Sequence, residues 1–490
     1  MSKSIVDSSV SGSPSSEPTL KQTSSADHIS RSAASFSLQL GVTAAANGLL
    51  LWFFHNRFWY APDEGNYAHI AQRVVAGEVL NLDIQDIHPG YINFINAAAL
   101  RVFGLDLLSL RYPLVAVAFV QAILIFLLFY RSGRRQLAIV AAIGINALGL
   151  VQYLDPTSNW YSLFLTIPIV CAFEWLPRKA RGRLFVVGLL VGTLVLFRQL
   201  TGALVCIAVL VYILLEARSS TARASGRDLI LARLLIAIMA LGLGTYLVRA
   251  SDAIGIALFG ACPLILLFWL FTRTTTSNRQ VLKIVGWLAA GGIVACVPLL
   301  AYHLLHGSVR PWLNDTVFSA IGLTKLDFMN VKLYGTLLLA AGWRLFHTSS
   351  AGELINSLYW LVLPLLAFAN GLLLLRFLIG NAKEGETRSS SVTYALPVIA
   401  LFYGIVSLHF QIPLYLYYTA GFSLAGIMWL MPFERRFQYS VLGLSLGLSA
   451  IAVYYHAGQP ISGRLGDVLG GTRNITTLNQ RPSSLPRASL

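Results

Sequence analysis

Near the start of the chain two acids follow a proline, Pro62-Asp63-Glu64, with Tyr67, His69 and Arg73 behind them. A carboxylate placed this way can take the proton of a hydroxyl or amine nucleophile, or bind a cation through oxygen. In isolation, an acid after Pro and before a run at helical spacing also reads as a helix cap, held by free backbone N–H groups. A second acid, Asp155, stands in Tyr153-Leu154-Asp155-Pro156, where an Asp-Pro turn is the alternative to chemistry. Together the two acids could hold a divalent cation, the one cofactor the sequence suggests, or position an acceptor. Arg198 separates the apolar runs 184–197 and 200–216, and an arginine at membrane depth either snorkels or faces a cavity or partner. Arg344, in the helix-like stretch 333–347, reads as the cap of an interfacial helix or as a further cation, and His88 opens a His88-Pro89-Gly90 turn.

The elements that must position these groups follow from composition. The chain has 490 residues, 56% of them hydrophobic and 12% charged, where a soluble domain has roughly 25% charged residues. Mean hydropathy is +0.67. A water-exposed surface cannot be covered with so little charge, whereas a lipid-solvated one can. The fold class is therefore all-α, a polytopic transmembrane bundle. Spans are expected near 36–54, 108–130, 136–152, 160–176, 184–197, 200–216, 230–248, 253–271, 281–302, 356–379, 392–409, 414–433 and 438–456, about thirteen in all. Residues 1–35, rich in Ser, Thr and Pro, are expected to be disordered and cytoplasmic, 36–456 to form the membrane domain, and 457–490 a polar outer tail.

Charge sets the orientation. The segment Tyr91 to Gly104 is either a short span or an interfacial helix. If it does not cross, 20 of the 36 Lys and Arg residues fall on the side of the N-terminal tail, nearly all in short loops, so that face is cytoplasmic. The 36 Lys and Arg against 21 Asp and Glu thus report topology, and no nucleic-acid partner is implied. The outer face then carries a loop at 55–107, a second at 303–355, and eight of the nine histidines. In the first loop Tyr67, Ile70, Ala71, Val74 and Val75 repeat at helical spacing, so it holds an amphipathic helix on the outer leaflet. Cys171, Cys206, Cys262 and Cys296 lie in apolar runs without metal-ligand spacing.

The order of features over 59–111 is more specific than any one of them. A first span, Pro62-Asp63-Glu64, Tyr67, a small-residue helix ending at Gly77, His88-Pro89, an apolar segment ending Phe103-Gly104, and Arg111 opening the next span resemble the C-type glycosyltransferases of membranes. The likeness is to the bacterial branch containing the lipid A aminoarabinose transferase, the lipopolysaccharide galacturonic acid transferases and relatives of protein O-mannosyltransferases. It covers roughly 36–456, with its motifs concentrated in 59–111. The resemblance implies a polyprenyl-phosphate sugar donor, a lipid, glycan or protein acceptor, and a bacterial inner membrane with the site facing the periplasm. It also implies Asp63 as the central carboxylate, with Glu64 beside it and Asp155 as the acid of the second outer loop.

Inverting transfer from a lipid phosphate needs a base for the nucleophile and cations for the leaving charge, which is already a good leaving group. His88, Arg198 and Arg344 are the candidate phosphate partners, and Tyr67, Tyr417 and Tyr418 the candidate pocket residues. Two departures stand out. The aminoarabinose branch has Lys-Pro-Pro where this chain has His88-Pro89-Gly90, and the family commonly has an Arg-Tyr pair in its late outer turn where this chain has Tyr417-Tyr418. The rival functions are a transporter or flippase of lipid-linked sugar, against which the one-sided distribution of polar residues argues, and an O-antigen-type polymerase or ligase. The latter would use the basic residues Arg310, Lys325, Lys332 and Arg344 of the second outer loop, and only the Pro62-Asp63-Glu64 region separates it from a transferase.

Overall fold

The computed structural model describes residues 25–56, 61–178, 181–218, 226–323, 332–383, 393–431 and 435–454. Among these the ordered elements are helices and turns, with two isolated bridges, Leu80 to Ile84 and Lys332 to Gln411. In chain order the main helices are α1 (Ser25–Phe54), α2 (Ala61–Val75), α3 (Tyr91–Phe103), α4 (Leu107–Arg131), α5 (Arg135–Ala147), α6 (Ser158–Trp175), α7 (Arg181–Phe197) and α8 (Gln199–Arg218). They continue as α9 (Ile230–Ala250), α10 (Ala253–Arg273), α11 (Asn278–Leu305), α12 (Tyr334–His347), α13 (Ala351–Lys383), α14 (Ala395–Tyr403), α15 (Pro413–Leu430) and α16 (Arg435–Tyr454).

Every expected span coincides with a helix, but eight among the described residues are long and apolar enough to cross a membrane by themselves. Part of the difference from thirteen is one of length. A 17-residue helix such as α7 is roughly 26 Å long at 1.5 Å per residue, short of a hydrocarbon core of about 30 Å. Helix α1 starts at Ser25, inside the stretch expected to be disordered; residues 1–24 and the tail 457–490 lie outside the described residues. Helix α3 has 13 residues, roughly 20 Å, too short to span. It lies against α2 and α4 through Ala68, Ala71, Ala97, Leu100, Leu107 and Leu110, all buried. The segment that decided the orientation is thus a short helix packed against α2 and α4.

Helices in lipid gain little from hydrophobic burial against one another, so small residues and polar locks hold the bundle. Gly188 and Gly192 of α7 face Gly291 and Gly292 of α11 so closely that a Cβ at Gly188 would stand 2.2 Å from the Leu288 carbonyl oxygen. This contact fixes the end of α7, and with it Arg198, against the end of α11. On α1, Leu38, Leu49 and Trp52 face outward while Thr43 and Asn47, four residues apart, are buried. Asn146 of α5 donates to Asn47 Oδ1 at 2.9 Å and to the Ala118 carbonyl of α4 at 3.2 Å, joining three helices.

The turns assigned to one face of the membrane contact one another. At one end Arg183 pairs with Glu216, and Thr393 donates to Glu174. At the other, Gln411 donates to Ser251 Oγ at 3.0 Å, Lys332 to the Ser251 carbonyl at 3.4 Å, and Gln199 to the carbonyls of Ile87 and Thr316 at 2.9 and 3.0 Å. Trp312 donates to the Pro89 carbonyl at 2.9 Å. The first and second long loops are therefore clamped over the end of α7 and α8.

Candidate active site

Asp63 and Glu64 occupy the first turn of α2, where free N–H groups and the dipole favour acids. Neighbours on a helix diverge by about 100°, and the two acids have opposite fates. Glu64 is 1% exposed and is gripped by Arg111, whose Nε donates to Oε2 at 3.0 Å and whose Nη2 bonds Oε1. Arg111 Nη1 also donates to the His55 carbonyl at 3.0 Å, where α1 ends. Glu64, expected among the catalytic acids, is thus a bidentate ion-pair partner tying α2 to α4, and its lone pairs are committed to the fold.

Asp63 turns instead toward the segment 150–157. There α5 ends in a short 3-10 turn, Leu150–Gln152, anchored by Gln152 Nε2 to the carbonyls of Ala147 and Ala452 at 2.7 and 2.9 Å. The outer turn expected here is wholly buried, and it carries Asp155 inward. The Tyr153 hydroxyl lies 3.0 Å from Asp63 Oδ2 and 2.9 Å from Asp155 Oδ2. One O–H donates to only one acceptor at a time. The second contact is a hydrogen bond only when a carboxyl proton is donated to the phenol oxygen. Burial, then the charges of Glu64 and Asp63, push the Asp155 carboxyl well above the usual carboxylate range, while the Tyr153 hydrogen bond opposes them. With a proton on Asp155 the three groups would form a short relay, Asp155 donating to Tyr153 and Tyr153 to Asp63; without it, Tyr153 donates to one acid at a time.

Tyr67, one turn beyond Asp63 on the buried face of α2, lies at the electrostatic centre of the cluster. Burial first, then Asp155 and Asp86, push its phenol well above its ordinary value while Arg198 opposes them, so it remains an O–H donor. Its hydroxyl is 3.4 Å from His88 Nε2, and His88 Nδ1 is 2.9 Å from Asp86 Oδ1. Asn93 of α3 donates to the other oxygen of Asp86 at 2.6 Å. The His88 imidazole and these hydrogen bonds hold the buried Asp86 carboxyl below the usual range, although burial itself, the largest influence, opposes them.

Arg198, expected as a phosphate partner or a snorkelling residue, is 8% exposed and does not snorkel. Its guanidinium bonds Tyr415 and lies 5.7 Å from the centre of that ring. Among the described residues no carboxylate lies within ion-pair distance of it. A buried cation without a counterion is costly, and an anionic ligand would relieve it.

Tyr418 packs on Tyr153, Trp160 and Tyr415 with ring centroids 6.4, 4.5 and 5.3 Å apart, and so joins the acid side of the cluster to the Arg198 side. Two expectations are corrected. Tyr417 turns away to stack near Trp360 of α13, centroids 5.8 Å apart, and is a bundle residue. Arg344 is exposed in the last turn of α12 and contacts none of these groups.

Asp63, Tyr67, His88, Asp155, Arg198 and Tyr418 are therefore brought together from four separate stretches of chain. Sequence reasoning missed Tyr153, Asp86 and Tyr415. Each is two or three residues from a residue that was singled out, and only their contacts distinguish them from belt or loop residues. Among the described residues no three His, Cys, Asp or Glu side chains gather as a metal cage. Asp63 and Asp155 could offer two oxygen ligands to a divalent cation, the remainder coming from water and phosphate. Compared with known proteins, the chain matches no family model, no curated sequence and no solved structure.

Proposed function

We propose that the protein is a membrane glycosyltransferase that moves a sugar from a polyprenyl-phosphate donor to a lipid, glycan or protein acceptor on the outer face of a bacterial inner membrane. The observation that carries this reading is the pairing of two acids bridged by Tyr153 with a buried Arg198 that has no carboxylate within ion-pair distance among the described residues, both sides acting electrostatically on Tyr67. The donor phosphate lies toward Arg198, with Tyr67 and His88 as hydrogen-bond donors. Asp63, the more accessible of the two acids, receives the acceptor's proton as its oxygen or nitrogen bonds to the anomeric carbon. The carbon–oxygen bond to phosphate breaks, and the electron pair leaves on a phosphate whose charge Arg198 balances. Asp155 and Tyr153 hold Asp63 in place and share its proton.

The test is donor consumption by purified protein with a panel of polyprenyl-phosphate sugars, comparing wild type with Asp63→Asn and Arg198→Ala. Consumption lost in Asp63→Asn supports the reading. Full activity in that variant, or a wild type that consumes no donor yet moves lipid-linked sugar across vesicles, overturns it in favour of the flippase.

A further inference from the structure

Two turns along α2 from Tyr67, a cavity of about 320 Å³ opens beside the hairpin of α2 and α3. Its floor is apolar, formed by Val74, Phe94 and Ala98, with the Tyr302 ring edge-on to Phe94 at 4.9 Å. The wall is rigid: the Tyr302 hydroxyl accepts from the Leu80 amide at 3.1 Å, tying the end of α11 to the loop after α2. Its rim is cationic. Arg101 reaches across it with only a 3.5 Å contact to the Val75 carbonyl and no acid partner among the described residues. His306 stands on the other side, stacked near Tyr302 at 4.4 Å. The one acid at the rim, Glu78, is already neutralised by Arg73, whose Nε donates to it at 2.8 Å.

We propose that this cavity binds one anionic phospholipid of the outer leaflet, its phosphate on Arg101 and His306 and the first part of one acyl chain on the Val74, Phe94 and Ala98 floor. The volume is at the lower limit of small-molecule sites and too small for a whole lipid. The rest of the chain has a path beside it, where Val102, Phe103, Leu304 and Leu305 are 52–85% exposed. Charge complementarity selects the headgroup: Arg101 is a guanidinium matched to phosphate and has no competing carboxylate. A zwitterionic headgroup would bring its own cation to the rim. The occupant is distinct from donor and acceptor, and its effect is on the fold. A ligand that binds only the folded state stabilises it, here the α2–α3 pair that carries Asp63, Tyr67 and Asn93.

The experiment is native mass spectrometry of the full chain released from vesicles of phosphatidylglycerol mixed with phosphatidylcholine. Wild type is expected to retain one phosphatidylglycerol several-fold in preference to phosphatidylcholine. Arg101→Ala should lose the preference, Arg101→Lys should keep part of it, and Ala98→Trp should exclude both lipids by filling the floor. Arg344→Ala, an exposed arginine elsewhere, should behave as wild type. Equal retention of the two lipids by wild type, preference surviving Arg101→Ala, or displacement of the lipid by inorganic phosphate alone would overturn the proposal. None of these readouts involves sugar transfer, so the outcome is independent of the reaction at Asp63.

Discussion

Glu216, partly buried, and Asp155, fully buried, are acids at the ends of membrane helices, at opposite ends of the bundle, and their surroundings differ. Glu216 receives Arg183 Nη2 at 3.1 and 3.0 Å on its two oxygens, Arg178 Nε at 3.2 Å and the Tyr212 hydroxyl at 3.4 Å. Asp155 shares one phenol with Asp63, leaves Oδ1 buried without a partner, and has the further charge of Glu64 nearby. The first site is complete without a ligand. The second is short of positive charge on the acid side and short of negative charge at Arg198. A fold gains nothing from such separation, whereas a substrate that is a nucleophile at one end and a phosphate at the other is matched by it.

The sharpest way to break this contrast is to neutralise one acid at each end. Asp63→Asn should lower donor turnover by about 10²- to 10⁴-fold, the range for loss of a general base, with thermal stability near wild type. Glu216→Gln should do the reverse, keeping turnover while lowering the melting temperature in detergent. Equal effects of the two variants on turnover would mean that the outer cluster is no more functional than the inner one.

Glu64 tests whether saturation by partners, and not the side of the membrane, separates the two classes. It lies next to Asp63, at the opposite end of the bundle from Glu216, but is built like Glu216. Glu64→Gln leaves the Arg111 guanidinium buried without its countercharge, at a cost of about 3–5 kcal/mol. The loss should be read as unfolding at lower temperature, and the double variant Glu64→Gln, Arg111→Met should recover part of it. A stable Glu64→Gln protein that is inactive would return Glu64 to the chemistry.

These contrasts also mark how far the sequence could be read. The bundle was legible because lipid imposes apolar runs, and Tyr91 to Gly104, open in the sequence between a short span and an interfacial helix, forms a 13-residue helix too short to cross by itself. Arg198 was legible because a charge at membrane depth is expensive and so needs a reason, and Asp63 and Asp155 because each stands next to a proline in an expected loop between spans. What distinguishes Asp63 from Glu64, or Tyr418 from Tyr417, is not legible. Adjacent residues of like type are set apart only by which way each faces on the helix and by what α4, α13 and the segment 150–157 bring to meet it. Tyr153 was hidden for the same reason: an aromatic at a membrane boundary reads as a belt residue until its hydroxyl is found between two acids.

Tyr153→Phe sharpens the relay. It removes the bridging hydroxyl without changing ring packing on Tyr418, so the two acids face each other directly. Turnover should fall by about tenfold, less than for Asp63→Asn, because the base remains and only its hydrogen-bond support is lost. Unchanged turnover would show that Tyr153 merely fills space.

The smallest effect lies in the pH dependence of stability. Asp155 is held well above the usual carboxylate range, so between its unfolded value near 4 and its raised folded value the native state keeps a proton that the unfolded chain has released. Stability linked to that proton is fully present below the unfolded value and is lost as pH rises through the folded one. The slope is at most about 1.4 kcal/mol per pH unit for one proton. Asp155→Asn mimics the protonated acid at every pH and should not show this loss. Its melting temperature relative to wild type should therefore climb as pH rises above the unfolded value of about 4. Parallel curves for wild type and Asp155→Asn would show that Asp155 carries no proton in the native state. Tyr153 would then donate to only one of its two neighbours, and the relay to Asp63 would lose its source.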